Sequence, residues 1–263
     1  MTTVASIVQP LQLSDGEVRF YKDEGYLVIP GLLNAEFIDA MRAEVLDVME
    51  TAGATPESLR QATHAKHKLI QSGQYLAGSH LDEFINSPDL LSIAEQLMGG
   101  PATLYMPFTA VKSGGGGGRF HFHQDNQYTR HEGHSINIWF ALSPMSPENG
   151  CLQVVPRSHL NGTRESVGSS DGDGHRMVAQ EPDRFLPLRM HPGDAVAFSR
   201  LTIHGSGPNH TDEARLAYAV QFHRNDTTAF FDGESKLLTE RPRFNTKPVA
   251  QLSKPQVKSQ DGH

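Results

Sequence analysis

Two periodicities divide this chain. Up to Gly100, apolar residues recur every three to four positions, and beyond Thr103 they alternate. Ser14 followed by Glu17 is a capping-box pattern. It opens a helix that runs to about Asp23 and stops at Gly25. Tyr26–Pro30 reads as a strand. Asn34 is a good cap for a second helix, whose stripe is Phe37, Met41, Val45 and Val48. Ser87 and Pro88 open a third, carried by Leu90, Leu91, Ile93, Leu97 and Met98 and closed at Gly99-Gly100. Residues 52–82 hold no clear period. They include the small basic cluster His64–Lys68, which reads as a solvated face or as a lid over an anionic substrate.

The second half predicts strands at Thr103–Val111, Ser135–Leu142, Cys151–Val155, Ala195–Ser199 and Arg215–His223. On Ser135–Leu142, the residues Ile136, Ile138, Phe140 and Leu142 share one face, and Asn137 and Trp139 the other. On the last strand Leu216, Tyr218, Val220 and Phe222 oppose Arg215, Ala217, Ala219, Gln221 and His223. Turns are expected at Glu148–Gly150 and Pro192–Asp194, and the glycine run Gly114–Gly118 is expected to be a flexible hairpin. Residues 161–184 read as an exposed insertion, and 246–263 as a disordered tail beyond an ordered core of 13–245. Helices followed by short, regularly spaced strands predict a mainly β fold with flanking helices, a sandwich or barrel, in one domain spanning 1–263.

Composition narrows the function. A net charge of −7 with no long basic run disfavours nucleic acid and anionic membranes. The single cysteine, Cys151, excludes an internal disulfide framework and a cysteine-based zinc site. No apolar run is long enough for a membrane span, and the N-terminus lacks a signal-peptide pattern, so a cytoplasmic protein is expected. The glycine run is not a phosphate-binding loop, because no Gly-Lys-Ser/Thr follows it. Asp171–Gly174 is not a calcium loop, because Arg176 stands where glycine is needed.

The candidate chemistry centres on Phe120–Asp125. In an extended strand His123 and Asp125 leave the same face, which supplies two thirds of the 2-His-1-carboxylate set that holds non-haem Fe(II). By itself this pattern also fits an ordinary surface strand. His204, in His-Gly-Ser-Gly, is the candidate third ligand. Arg215 is followed on its own face by Ala217 and Ala219, so it has room in front of it. Its guanidinium suits a bidentate pair with a carboxylate, or a structural ion pair.

Taken together, several segments resemble the phytanoyl-CoA dioxygenase family. They are His-Gln-Asp at 123–125, Trp139, Asn149–His159, and His204–Asn209 with Arg215; the opening Tyr21–Pro30 is also similar. The resemblance spans residues from about 18 to 224. It implies a double-stranded β-helix (a jelly-roll, cupin-like fold), Fe(II), 2-oxoglutarate and O₂, and oxidation of an unactivated C–H bond with release of succinate and CO₂. Carried over by position, His123, Asp125 and His204 match the iron ligands. Arg215 and Ser206 match contacts to the distal carboxylate of 2-oxoglutarate, and Trp139 an aromatic beside it. The chain departs from the family at Arg157, where glycine is frequent, and in its glycine run. Neither departure touches the triad.

Two rivals are weighed against this reading. Halogenases need an open metal position where the carboxylate would sit, and Asp125 occupies it. A cupin-like zinc module would recruit His121, which shares a strand face with His123, but has no need of Arg215 or Ser206. Desaturation, epoxidation and rearrangement share the same cofactors. His121, Asn126, Gln127, Arg130, Asn137, Arg157 and Gln221 are candidate substrate contacts, by strand facing or closeness to the triad. The sparse basic residues favour a free small molecule over an acyl-CoA as substrate. Sequence leaves the oligomeric state open.

Overall fold

The computed structural model describes residues 5–60, 75–169, 175–231, 233–240 and 248–249. The predicted caps are in place. Helix α1 (Asp15–Glu24) opens on the Ser14–Glu17 capping box and ends at Gly25, whose φ of 83° lets its N–H reach the Tyr21 carbonyl. Asn34 caps a 3-10 turn, Ala35–Phe37, which leads into α2 (Ile38–Thr51). Helix α5 (Pro88–Met98) starts at Ser87 with proline in its first turn and stops at Gly99. Between them lie α3 (Pro56–Arg60) and α4 (His80–Ile85), two short helices in the stretch without a legible period. The cluster His64–Lys68 lies outside the described residues.

Two antiparallel sheets carry the site. The larger has the order Tyr26–Ile29, Ala195–Ser199, Ser135–Ala141, Ala217–Arg224, Ala102–Thr109. The smaller has the order Leu186–Pro187, Leu152–Val154, His204–Ser206, Phe120–His123. The predicted alternation divides two cores. Ile136, Ile138, Phe140, Tyr218, Val220 and Phe222 pack outward against Met41, Val45 and Val48 of α2 and Ile93 and Leu97 of α5. Each such buried chain is worth about 1.5–3 kcal/mol, so a charge placed at Val45 would release the helical layer. Trp139, Ala217, Ala219 and Phe198 face inward and meet Leu152 and Val154 of the smaller sheet. This two-layer arrangement with helices on one flank is the expected jelly roll.

Several expectations need correction. The Phe120–His123 strand ends before Asp125, so His123 and Asp125 are not neighbours on one strand face. The strand predicted from Arg215 begins at Ala217, and Arg215 sits just ahead of it in an isolated bridge with Lys112. The glycine run is pinned, not a loose hairpin. The N–H groups of Gly114, Gly115 and Gly116 donate to the carbonyls of Leu59, Thr211 and Asn209 at 2.9, 2.7 and 2.8 Å. A Cβ on Gly114 would lie 2.6 Å from the Asp212 backbone, and one on Gly117 would run into the Ser113 carbonyl. Glycine is needed here for close approach of backbone to backbone. The insertion contains a hairpin, Ser166–Gly168 with Arg176–Val178, and Val178 is buried with Phe122 and Ile203. Within the expected tail, Pro248 and Val249 pair in parallel with Tyr75 and Leu76. No helix among the described residues is long and apolar enough to cross a membrane.

Candidate active site

Strand register brings the two histidines together. His204 and His123 are direct partners across the antiparallel pair, and their ring centroids are 4.2 Å apart. Each Nδ1 lies 2.9 Å from a backbone carbonyl two residues earlier, that of His121 for His123 and that of Thr202 for His204. A carbonyl only accepts, so each Nδ1 carries a proton and Nε2 is left as the nitrogen turned to the site. After His123 the chain passes through Gln124, whose buried side chain anchors the loop. Its amide donates to the Gly162 and Leu201 carbonyls, and its oxygen accepts from the Arg164 N–H at 2.7 Å. Asp125 then opens a 3-10 turn, and that turn aims its carboxylate back at the histidines. Its Oδ1 lies 3.9 Å from His123 Nε2 and 3.7 Å from His204 Nε2. Among the described residues, these three form the grouping of ligand atoms able to hold a metal ion. Two imidazoles with Nε2 turned inward and a carboxylate converging on one point suit Fe(II).

The other carboxylate oxygen is held from the larger sheet. Asp125 Oδ2 accepts from Asn137 Nδ2 at 3.4 Å and from Gln221 Nε2 at 3.1 Å. Asn137 and Gln221 are cross-strand partners, so the sheet presents their two amides side by side. Arg200 Nη1 donates to Gln221 Oε1 at 2.7 Å. Because arginine only donates, Gln221 must turn its oxygen to Arg200 and its NH₂ to the carboxylate. Arg200 Nη2 also holds the Asp125 and Thr129 carbonyls at 2.9 and 3.2 Å. Burial alone would raise the Asp125 carboxyl pKa. Interactions with His204, Arg200 and His123 and the Asn137 hydrogen bond outweigh it and hold the pKa below the ordinary value. Burial first, then the neighbouring His204, pushes His123 down to about 3. The triad is thus poised as one anion and a neutral imidazole at His123, the charge states a metal needs.

Beyond Trp139, a second cleft is built around Arg215. Its Nη1 and Nη2 donate to the Gly150 and Ala110 carbonyls at 3.1 and 3.2 Å, and its guanidinium lies 5.1 Å from the Trp139 ring centroid. Arg215 Nε is buried with no hydrogen-bond partner. Burial lowers the guanidinium only to about 10, so it is charged at neutral pH. Beside it, fully buried Lys112 donates from Nζ to Ser206 Oγ at 2.8 Å and to the Gly207 carbonyl. Gly150 makes room for this arrangement, since a Cβ there would strike the Gly207 carbonyl and crowd Lys112. Ser206, Arg215 and Trp139 line one cleft with His123, Asp125 and His204. A buried guanidinium with an unmet donor, a hydroxyl and an aromatic wall fit the distal carboxylate of a 2-oxo diacid chelated at the triad. Lys112 was missed in the sequence. Its signal was parity, for Met106, Phe108, Ala110 and Lys112 share the face that looks between the sheets.

The remaining candidates scatter. His121 turns to Glu181, with Nδ1 3.3 Å from its Oε1, and that carboxylate also binds Arg119 at 2.6 Å. Asn126 is buried and braces the loop by accepting from the His131 N–H at 2.8 Å. Gln127 donates to the Arg164 carbonyl. Arg130 is exposed and pairs with Glu132 at 3.2 Å. Arg157 is exposed and lies 3.6 Å from Glu24. Its φ is 64°, the left-handed region in which glycine is unstrained, which accounts for the glycine that the family resemblance leads one to expect there. Asn137 and Gln221 reach the site as partners of Asp125, and Gln221 also lines the cavity beside the triad. A cavity of about 420 Å³ opens beside His123 and Asp125. Tyr105, Phe108, Phe120, Tyr128, His175 and Arg200 are among the residues that wall it. His175 comes from the insertion, and no local pattern marked it.

Comparison with known proteins agrees with this geometry. Residues 21–217 match the family model described as phytanoyl-CoA dioxygenase. The chain is 29% identical to a methylphosphonate hydroxylase of Gimesia maris, covering 80% of this chain and 81% of the relative. It is 26% identical to an L-proline trans-4-hydroxylase of Streptomyces griseoviridis, covering 90% and 96%. Among solved structures it resembles the non-haem alpha ketoglutarate dependent carbocyclase SnoK from nogalamycin biosynthesis. That match has a TM-score of 0.68 and 25% identity, over 82% of this chain and 86% of the other. A family model spanning most of the chain, over a jelly roll that carries the His-Asp-His cluster, makes this chain a member of the phytanoyl-CoA dioxygenase family.

Proposed function

We propose that this enzyme, a non-haem oxygenase by family, hydroxylates an unactivated C–H bond of a free small metabolite, consuming 2-oxoglutarate and O₂ and releasing succinate and CO₂. His123, Asp125 and His204 hold Fe(II) through Nε2, Oδ1 and Nε2. Arg215 and Ser206 receive the distal carboxylate of 2-oxoglutarate, with Trp139 alongside. Iron with 2-oxoglutarate and O₂ supplies the oxidising power. The protein's part is placement. The Nδ1 bonds to the His121 and Thr202 carbonyls fix the imidazole planes, and Asn137 and Gln221 fix the carboxylate. Phe108 and Phe120, shared by cavity and cleft, keep bulk water from the reacting carbon.

The observation that carries this reading is the buried Arg215, whose Nε has no partner, in one cleft with two histidines and a carboxylate. A bare zinc module has no use for that guanidinium, and His121, held by Glu181, does not support a zinc set. The cavity volume and the named substrates of the two hydroxylase relatives, L-proline and methylphosphonate, favour a free small molecule over a CoA thioester. The test is anaerobic reconstitution with Fe(II), followed by 2-oxoglutarate and O₂. Succinate formed in step with O₂ consumption and abolished by a chelator is expected. A substrate mass gain of one oxygen marks hydroxylation or epoxidation, whereas loss of two hydrogens would indicate desaturation. Absence of succinate in the iron-loaded enzyme would sink the oxygenase reading.

A further inference from the structure

The cavity beside the triad is walled mostly by aromatic and apolar groups: Tyr105, Met106, Phe108, Phe120 and Tyr128. Among the described lining residues, Arg200 is the permanent cation that interrupts that wall. Arg200 is 4% exposed, and its guanidinium carbon lies 5.3 Å from the Tyr105 ring centroid. Its hydrogen-bond acceptors, Gln221 Oε1 and the carbonyls of Asp125 and Thr129, are all neutral. Its Nε is buried without a partner. A buried charge needs a counter-charge, since removing it from water is unfavourable. The nearest carboxylate, Asp125, gives Oδ1 to the histidine side and Oδ2 to two amides. Once Asp125 ligates a metal, its charge is shared with the dication, and Arg200 is left facing the cavity as an unneutralised cation.

We propose that the substrate is a small oxyanion, a carboxylate or phosphonate, whose charged group docks on Arg200 while its carbon body lies against the aromatic wall. The inference rests on the oxygenase reading of the same site and adds the substrate class. Arg200, His123 and Asp125 line the same cavity, so a molecule held at Arg200 lies beside the triad. A planar guanidinium pairs with an oxyanion through charge-assisted bonds, and a neutral amide or ester of the same shape cannot replace them.

The test uses matched pairs on the wild-type enzyme loaded with Fe(II) and saturating 2-oxoglutarate under argon. The pairs are L-proline and L-prolinamide, methylphosphonate and its dimethyl ester, hexanoate and hexanamide, and benzoate and benzamide. Binding is read by calorimetry. The anion is expected to bind at least tenfold more tightly than its neutral partner in the pairs the cavity accepts, and this preference should be lost in Arg200→Gln. Neutral members binding as well as the anions, or no anion binding across the panel, overturns the proposal. Metal and 2-oxoglutarate binding are titrated first on the same sample. Their failure indicts the oxygenase reading, whereas their success with indifferent anions indicts Arg200 alone. Because Arg200 also braces the Asp125 turn, Arg200→Gln is accompanied by Arg200→Lys, with Co(II) binding as the control that the triad persists.

Discussion

Lys112 Nζ lies 2.8 Å from Ser206 Oγ between the two sheets. An ammonium only donates, so Ser206 accepts from it and must direct its own hydroxyl hydrogen elsewhere, into the cleft it shares with Arg215. If Ser206 receives 2-oxoglutarate as proposed, Lys112 would act on that co-substrate through Ser206. Lys112→Met should weaken 2-oxoglutarate binding roughly tenfold, the scale of one lost hydrogen bond to a charged group, and leave metal binding unchanged. In a double-mutant cycle with Ser206→Ala the two losses should fall short of additive. Full additivity would separate the residues.

The triad makes a sharper prediction. His123→Ala, Asp125→Ala and His204→Ala should each abolish stoichiometric iron binding, measured by metal content after anaerobic loading, with far-UV circular dichroism retained. Full iron occupancy in His204→Ala would place the third ligand elsewhere.

Asn137 and Gln221, candidate substrate contacts, both donate to Asp125 Oδ2, and Gln221 also lines the cavity. Gln221→Leu should therefore lower metal affinity by about 10–100-fold, the usual cost of losing a partner behind a metal ligand. Competition with a chelating dye gives the number. A variant with normal metal affinity and a raised substrate KM would return Gln221 to the substrate.

The glycine run predicts a stability defect without a chemical one. Gly114→Ala forces a side chain to within 2.6 Å of the Asp212 backbone, where nothing flexible can yield. A loss of about 1–3 kcal/mol is expected in urea unfolding, as for other overpacked sites. A neutral result would mean that the 209–213 loop can retreat.

Acid should loosen the fold through His131. Burial holds its pKa at about 2, with nearby Arg200 adding to the effect. A folded pKa depressed below the unfolded 6.5 means that the unfolded chain binds the proton first. The neutral histidine's contribution is complete above about pH 6.5 and declines as pH falls toward 2, by about 1.4 kcal/mol per pH unit. Urea unfolding of metal-free protein between pH 7 and 4.5 should show this slope added to that of buried His123, and His131→Gln should reduce the total by about 1.4 kcal/mol per pH unit. Identical slopes would exonerate His131.

Much of this was legible because it is periodic or local. The strand alternation at 135–142 divided the two cores correctly, since a buried face admits one register. His-Gln-Asp and His-Gly-Ser located the triad and the cleft. What failed was the geometry of single breaks: the strand stops at His123, and the 3-10 turn, not the pleat, aims Asp125. Asn137 and Gln221 looked like free polar groups because their partner is fixed by pairing between distant strands. Arg130 and Arg157 lay near the motifs in sequence but point outward with Glu132 and Glu24. His175 entered the cavity wall from a hairpin whose position only packing decides.

The interior of the sandwich reverses the sign of the molecule. The chain as a whole is net negative at −7, yet Lys112, Arg200 and Arg215 are all buried. Such a distribution makes an electrostatic well inside an acidic shell. Large polyanions meet repulsion at the outside, while a small anion that enters the low-dielectric gap feels attraction that salt screens poorly. Selection by size is thus written into charge as well as shape, and affinity for 2-oxoglutarate should change little with ionic strength.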